Sequence, residues 1–193
     1  NLERLAGTGD VTLDLTDGDD NGTAIAEIDN DADGDIDKTV DINIPDNGTY
    51  HIITTDGDNV IFGGVEDETF IGSAGDDSIV GGDGGDTIDY SDLGTAITVS
   101  SAGAIEKDGL GTDTLGTFDV ASGTIEVVET IVAPEGEQNV VDGTSVQGAV
   151  ALEVNLATGA FVGNIVVDAG DFEPGDLFNV TLENFADVLG SDN

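Results

Sequence analysis

Apolar residues along this chain alternate with polar ones or gather in short β-branched runs. The runs are Val11–Leu15, Ala24–Ile28, Val40–Ile44, Ile125–Val132, Val150–Leu156, Ile165–Val167 and Leu177–Leu182. Gly, Asp or Asn bounds each of them, the pattern of strands joined by short loops. Pro45, Pro134 and Pro174 fall between runs, where a missing backbone N–H breaks no ladder. Nothing in the chain carries a sustained helical period. The pattern predicts an all-β protein.

A shorter period sits in the middle. From residue 54 to 89 four nine-residue frames follow without a gap: TTDGDNVIF, GGVEDETFI, GSAGDDSIV and GGDGGDTID. One looser frame fits on each side, PDNGTYHII (45–53) and YSDLGTAIT (90–98). The eighth position is large and apolar in all six: Ile52, Ile61, Phe70, Ile79, Ile88 and Ile97. The fourth is glycine at Gly48, Gly57, Gly75 and Gly84, with Glu66 and Leu93 as exceptions. A further step of nine lands on Asn43 or Glu106, so the nine-residue periodicity stops there.

These frames resemble the RTX family, whose nonapeptide G-G-x-G-x-D-x-U-x (U apolar) winds into a calcium-loaded parallel β-roll. Gly81–Asp89 matches throughout, and Gly72–Val80 departs only at Ser73. The resemblance implies six residues of tight turn, in which glycines adopt angles that a Cβ forbids. Three residues of strand follow, with the central apolar side chain pointing inward. Two frames then make one coil, and turns two frames apart stack at a strand spacing of about 4.8 Å. Ca²⁺ would bridge neighbouring turns through oxygen ligands at about 2.4 Å.

Carried over by position, the resemblance makes the sixth residue of each frame the ligand: Asn59, Glu68, Asp77 and Asp86, flanked by Tyr50 and Thr95. It pairs Asn59 with Asp77 on one edge and Glu68 with Asp86 on the other. Carbonyls of turn residues such as Gly75 and Gly84 would complete the shell, with Asp56, Asp58, Asp76, Asp83 and Asp92 assisting. Asn59 supplies oxygen without charge, so its site is expected to be the weaker one.

Two further features lie outside the frames. Asp29-Asn-Asp-Ala-Asp-Gly-Asp-Ile-Asp37 opens like the D-x-D-x-D-G of an EF-hand loop. Val40 occupies the twelfth position, where that loop needs a bidentate Glu, and the flanks read as strands. Two readings stand side by side: a hairpin-borne calcium loop using Asp29, Asp31 and Asp33 with Asp37 or Asp41, and a solvated acidic turn. Beyond residue 98, VETIVAPEG and ENFADVLGSDN resemble segments between RTX blocks of large secreted bacterial proteins. The expected organisation is an N-terminal β segment (1–44), a short β-roll (45–98) and a C-terminal β segment (99–193), the outer two sandwich- or solenoid-like.

Charge narrows the function. Among 193 residues, 42 Asp and Glu stand against 3 Lys and Arg, a formal net charge of −39. Nucleic acid and anionic lipid surfaces attract cationic proteins, so both are excluded as partners, and no apolar run is long enough for a membrane-spanning helix. The charge opposes compaction unless cations neutralise it, yet 38% of residues are hydrophobic, enough for a core. No cysteine is present, which removes disulfides and thiolate metal sites.

Catalysis finds little support. The single histidine, His51, falls at a strand position, and no HExxH motif or lysine-bearing phosphate loop occurs, with Lys38 and Lys107 outside any such motif. The expectation is a non-catalytic module of a secreted, cell-surface protein, exported by type I secretion, that takes calcium and self-associates into arrays or fibres. A cell-surface glycan is a further candidate partner. The first residue, Asn1, points to a piece of a longer protein. Two alternatives remain open: a folding and secretion accessory of a secreted protease or lipase, and a salt-adapted surface protein whose acidity serves hydration.

Overall fold

A computed structural model describes residues 10–15, 23–29, 38–43, 50–53, 55–100, 104–115, 128–142 and 181–189. Among the described residues there are strands and no helix. In chain order the first eight are β1 (Asp10–Asp14), β2 (Thr23–Asp29), β3 (Lys38–Asn43), β4 (Tyr50–Ile53), β5 (Val60–Phe62), β6 (Glu68–Ile71), β7 (Ser78–Val80) and β8 (Thr87–Asp89). The rest are β9 (Ile97–Ser100), β10 (Ala104–Lys107), β11 (Gly111–Leu115), β12 (Thr130–Val132), β13 (Val140–Asp142), β14 (Thr181–Glu183) and β15 (Asp187–Leu189). They form two sheets. One is wholly parallel, in the order β14-β12-β8-β6-β4, and the other runs β15-β13-β9-β10-β11-β7-β5-β1-β2-β3.

The frames alternate between the sheets. Ile52 lies beside Phe70 and Phe70 beside Ile88 in one, and Ile61 lies beside Ile79 in the other. The chain therefore returns to the same sheet every two frames, with equivalent residues in register. Alternate side chains of these three- or four-residue strands point inward, and the eighth position of the frame supplies a large apolar one in each. Ile52, Ile61, Phe70, Ile79, Ile88 and Ile97 are all buried. Each such burial stabilises the fold by roughly 1.5–3 kcal/mol. Tyr90, Val99, Ile105, Val128, Ile131, Val141, Leu182 and Phe185 extend the same core.

Stacking continues past residue 98, with an excursion. A regular repeat would place β9 on β7, but β11 takes that place, with Thr114 beside Ser78 and Leu115 beside Ile79. Strands β9, β10 and β11 form an antiparallel meander inserted between parallel-paired strands of the larger sheet. Parallel order resumes as β13 pairs β9 and β15 pairs β13, while β12 and β14 extend the other sheet from β8. Strands of all three expected segments thus share the two sheets. At the other end β1 lies parallel to β5 and begins an antiparallel meander with β2 and β3. The flanks of the EF-hand-like segment are strands, as its departures from the helical loop imply. Val150–Leu156 and Ile165–Val167 lie outside the described residues.

Candidate functional site

Glycines set how closely the turns stack. Gly75 and Gly84 have φ of 100° and 133°, a region that side chains disfavour. A Cβ on Gly75 would lie 2.3 Å from the Gly57 carbonyl oxygen, and one on Gly84 2.3 Å from that of Glu66. Gly111 (φ 117°) stands equally close to Gly75. Successive turns therefore touch backbone to backbone, which brings the sixth residue of one frame within reach of the amide one circuit back.

Two inner ladders result. On the first edge Asn59 Oδ1 accepts from the Val11 amide (3.1 Å), Asp77 Oδ1 from the Asn59 amide (2.9 Å) and Asp113 Oδ1 from the Asp77 amide (3.0 Å). On the second edge Asp86 Oδ1 accepts from the Glu68 amide (2.9 Å) and Glu129 Oε2 from the Asp86 amide (2.6 Å). Asn59, Glu68, Asp77, Asp86 and Asp113 are buried. An outer, exposed ladder runs the opposite way: the Asp76 amide donates to Asp58 Oδ1 and the Thr112 amide to Asp76 Oδ1.

Asn59 and Asp77, and Glu68 and Asp86, are thus ladder neighbours joined by backbone amide to carboxylate bonds, and Gly75 and Gly84 lie in the adjoining turns. Asp56, Asp58, Asp76 and Asp83 are exposed on the turns, and Asp92 is exposed in the turn after β8, off both ladders. Asp29 ends β2; Asp31, Asp33 and Asp37 lie outside the described residues. Thr95 does not continue the first ladder: its hydroxyl donates to the Asp108 carbonyl (3.2 Å), and Asp113 occupies the ladder position.

The two edges differ in how their carboxylates are compensated. On the first, the Lys107 ammonium is buried and donates to the Ser73 carbonyl (2.8 Å), to Asp77 Oδ2 (3.2 Å) and to Asp113 Oδ1. Tyr90 Oη adds a 2.5 Å bond to Asp113 Oδ2. Burial pushes the Asp113 carboxyl up to about 6, aided by Asp77 and opposed by Lys107 and Tyr90. The Tyr90 phenol is held well above its usual range by burial and by the Asp113 charge.

Among the described residues the second edge has no such cation, and Asp86 Oδ2 is buried with no hydrogen-bond partner. Burial raises the Asp86 carboxyl to about 6, with Glu129 and Asp67 adding repulsion against the Glu68 amide bond. Burial likewise raises Glu68 to about 7, opposed by the Gly64 amide and reinforced by Asp86. Glu129 is shifted in the same direction, first by burial. A buried carboxylate without a cation is costly. An orphaned oxygen among carboxyl groups is a donor set suited to a hard divalent cation such as Ca²⁺. Among the described residues no three acidic or imidazole side chains gather as one metal-binding group. A cation here would take carboxylates in pairs, together with turn carbonyls.

Sequence reasoning missed Lys107, Asp113, Glu129 and Tyr90. Half-frames signal two of them. Gly111-Thr-Asp113-Thr-Leu115 repeats the G-x-D-x-U of Gly75–Ile79 and Gly84–Ile88, and Glu129-Thr-Ile131 repeats Glu68-Thr-Phe70. Compared with known proteins, the chain matches no family profile, no curated protein and no solved structure.

Proposed function

We propose that this chain is a non-catalytic, calcium-binding β-roll of the RTX type, a module of a secreted or cell-surface bacterial protein of the surface-layer, adhesive or filament-forming kind. The observation that carries the reading is the second edge: stacked acidic residues in frame register, with Asp86 Oδ2 buried and unpartnered. Support also comes from the 18-residue return of the chain to each sheet and from the glycine contacts that stack the turns.

Asp86, paired with Glu68 or with Glu129, would hold the ion together with turn carbonyls. Bound calcium supplies the positive charge that this edge lacks. The chain's own part is to pre-position oxygens through the amide ladder and to keep water out with the eighth-position core. Where free calcium is scarce, repulsion within a chain of net charge −39 favours the loose state suited to export. Outside the cell, an ion that binds only the folded form stabilises it by RT ln(1 + [Ca]/Kd), about 2.7 kcal/mol per site at a hundredfold excess.

The test is calcium titration of the chelator-treated chain, followed by far-UV circular dichroism and by calorimetric stoichiometry. A gain of β signal with at least one ion bound supports the proposal. A chain equally folded in chelator and in calcium, with no heat of binding, removes it.

A further inference from the structure

Asp77 and Asp86 occupy the same position of consecutive frames, one on each edge. Their Oδ1 atoms each accept the backbone amide of the ladder residue one circuit back, at 2.9 Å, and Asp77 Oδ1 also accepts the Asn59 side-chain amide at 2.8 Å. Their Oδ2 atoms differ. Among the described residues Asp86 Oδ2 has no hydrogen-bond partner, while Asp77 Oδ2 receives the Lys107 ammonium at 3.2 Å and the Ser73 hydroxyl at 3.3 Å. That ammonium is fully buried and sits among a turn carbonyl (Ser73) and two carboxylates one circuit apart (Asp77, Asp113). Its oxygen shell is of the kind a bridging divalent ion collects between stacked turns. Lys107 reaches this place from β10, the middle strand of the meander inserted between β9 and β11.

The charges follow the same division. On the first edge Asn59 is neutral and one ammonium stands against two carboxylates, Asp77 and Asp113. On the second, Glu68, Asp86 and Glu129 are three carboxyl groups with no ammonium or guanidinium recorded against them among the described residues.

We propose that Lys107 is a built-in counter-ion that replaces a metal on the Asn59–Asp77–Asp113 edge, confining divalent binding in this part of the stack to the Glu68–Asp86–Glu129 edge. The inserted meander thereby delivers a permanent cation to one side of a metal-dependent stack. One edge is set without calcium and templates the other, which closes when the ion arrives. This inference rests on the calcium reading above and specifies which edge responds.

The test is residue-resolved amide hydrogen exchange of the full chain in chelator and in saturating CaCl2. In chelator the Asn59 and Asp77 amides are expected to be protected at least ~100-fold more than the Glu68 and Asp86 amides. Calcium should raise protection at Glu68 and Asp86 and leave Asn59 and Asp77 nearly unchanged. If both edges lose and regain protection together, calcium binding stands and the role of Lys107 falls. If both are protected in chelator and unmoved by calcium, the calcium reading falls and the inference with it. A second arm uses Lys107→Met. In chelator its first edge should lose protection, and in CaCl2 it should regain it, with one more ion bound than in the parent chain. First-edge protection that survives this substitution in chelator, or an unchanged stoichiometry, overturns the proposal.

Discussion

Replacing Asp86 by Asn should reverse the sign of its effect on stability between metal-free and calcium-loaded conditions. The amide side chain keeps an oxygen to accept the Glu68 N–H, now received by Oδ1 at 2.9 Å, and removes one negative charge from a buried edge. In the metal-free chain that charge opposes folding. A carboxyl raised from 3.8 to about 6 by burial costs on the order of 3 kcal/mol above pH 7 at most. Residual water and the new amide's own need for an acceptor reduce the gain to roughly 1–2 kcal/mol. With calcium the effect turns over. The parent chain gains about 2.7 kcal/mol from an ion at a hundredfold excess over Kd, and Asp86→Asn forfeits most of it. Thermal melts at pH 7.5, with EGTA and with CaCl2, read both arms. At 2–4 °C per kcal/mol for a chain of this size, the variant should melt roughly 2–8 °C above the parent in EGTA and below it in calcium. Equal calcium shifts for the two proteins, or a variant less stable in EGTA, would refute the reasoning.

Three further predictions follow from the same geometry. In EGTA the melting temperature should rise as pH falls from 8 to 5, measured by dichroism. Glu68 and Asp86 sit at about 7 and about 6 when folded, above their unfolded values, so the folded state takes up protons and its stability declines as pH climbs through 4–7. Gly84→Ala should cost several kcal/mol by urea denaturation, because its Cβ would meet the Glu66 carbonyl at 2.3 Å. Gly94→Ala, with φ of 72° but nothing within 4 Å, should cost only about 1–2 kcal/mol. Dynamic light scattering should show particle growth on adding calcium and its reversal by chelator. An unchanged size would count against calcium-driven assembly, which rests on sheet edges with few lysines to guard them.

How much of this was legible in the chain divides along a physical line. The nine-residue spacing located the inward residues from Ile52 to Ile97, and the pairs Asn59–Asp77 and Glu68–Asp86 followed from two frames per circuit. Each short frame strand carries a large apolar inward residue at the same frame position, so periodicity alone identifies it. What periodicity cannot carry is an interruption. The meander of β9 to β11 shifts the next first-edge rung to Asp113, 36 residues beyond Asp77, and the next second-edge rung lies 43 residues beyond Asp86, at Glu129. Lys107 was harder still. It belongs to an antiparallel strand, lies 30 residues from Asp77, and resembles any surface lysine until the fold buries it. The nine-residue pattern marked where carboxylates stack, and only the three-dimensional register reveals which of them are already neutralised.

Anomalous diffraction at long wavelength from crystals grown in CaCl2 tests the central claim most directly. The account predicts a calcium peak at about 2.4 Å from Asp86 Oδ2 and none between Asp77 and Asp113, where the Lys107 ammonium sits. A second edge without a peak at millimolar calcium would contradict it.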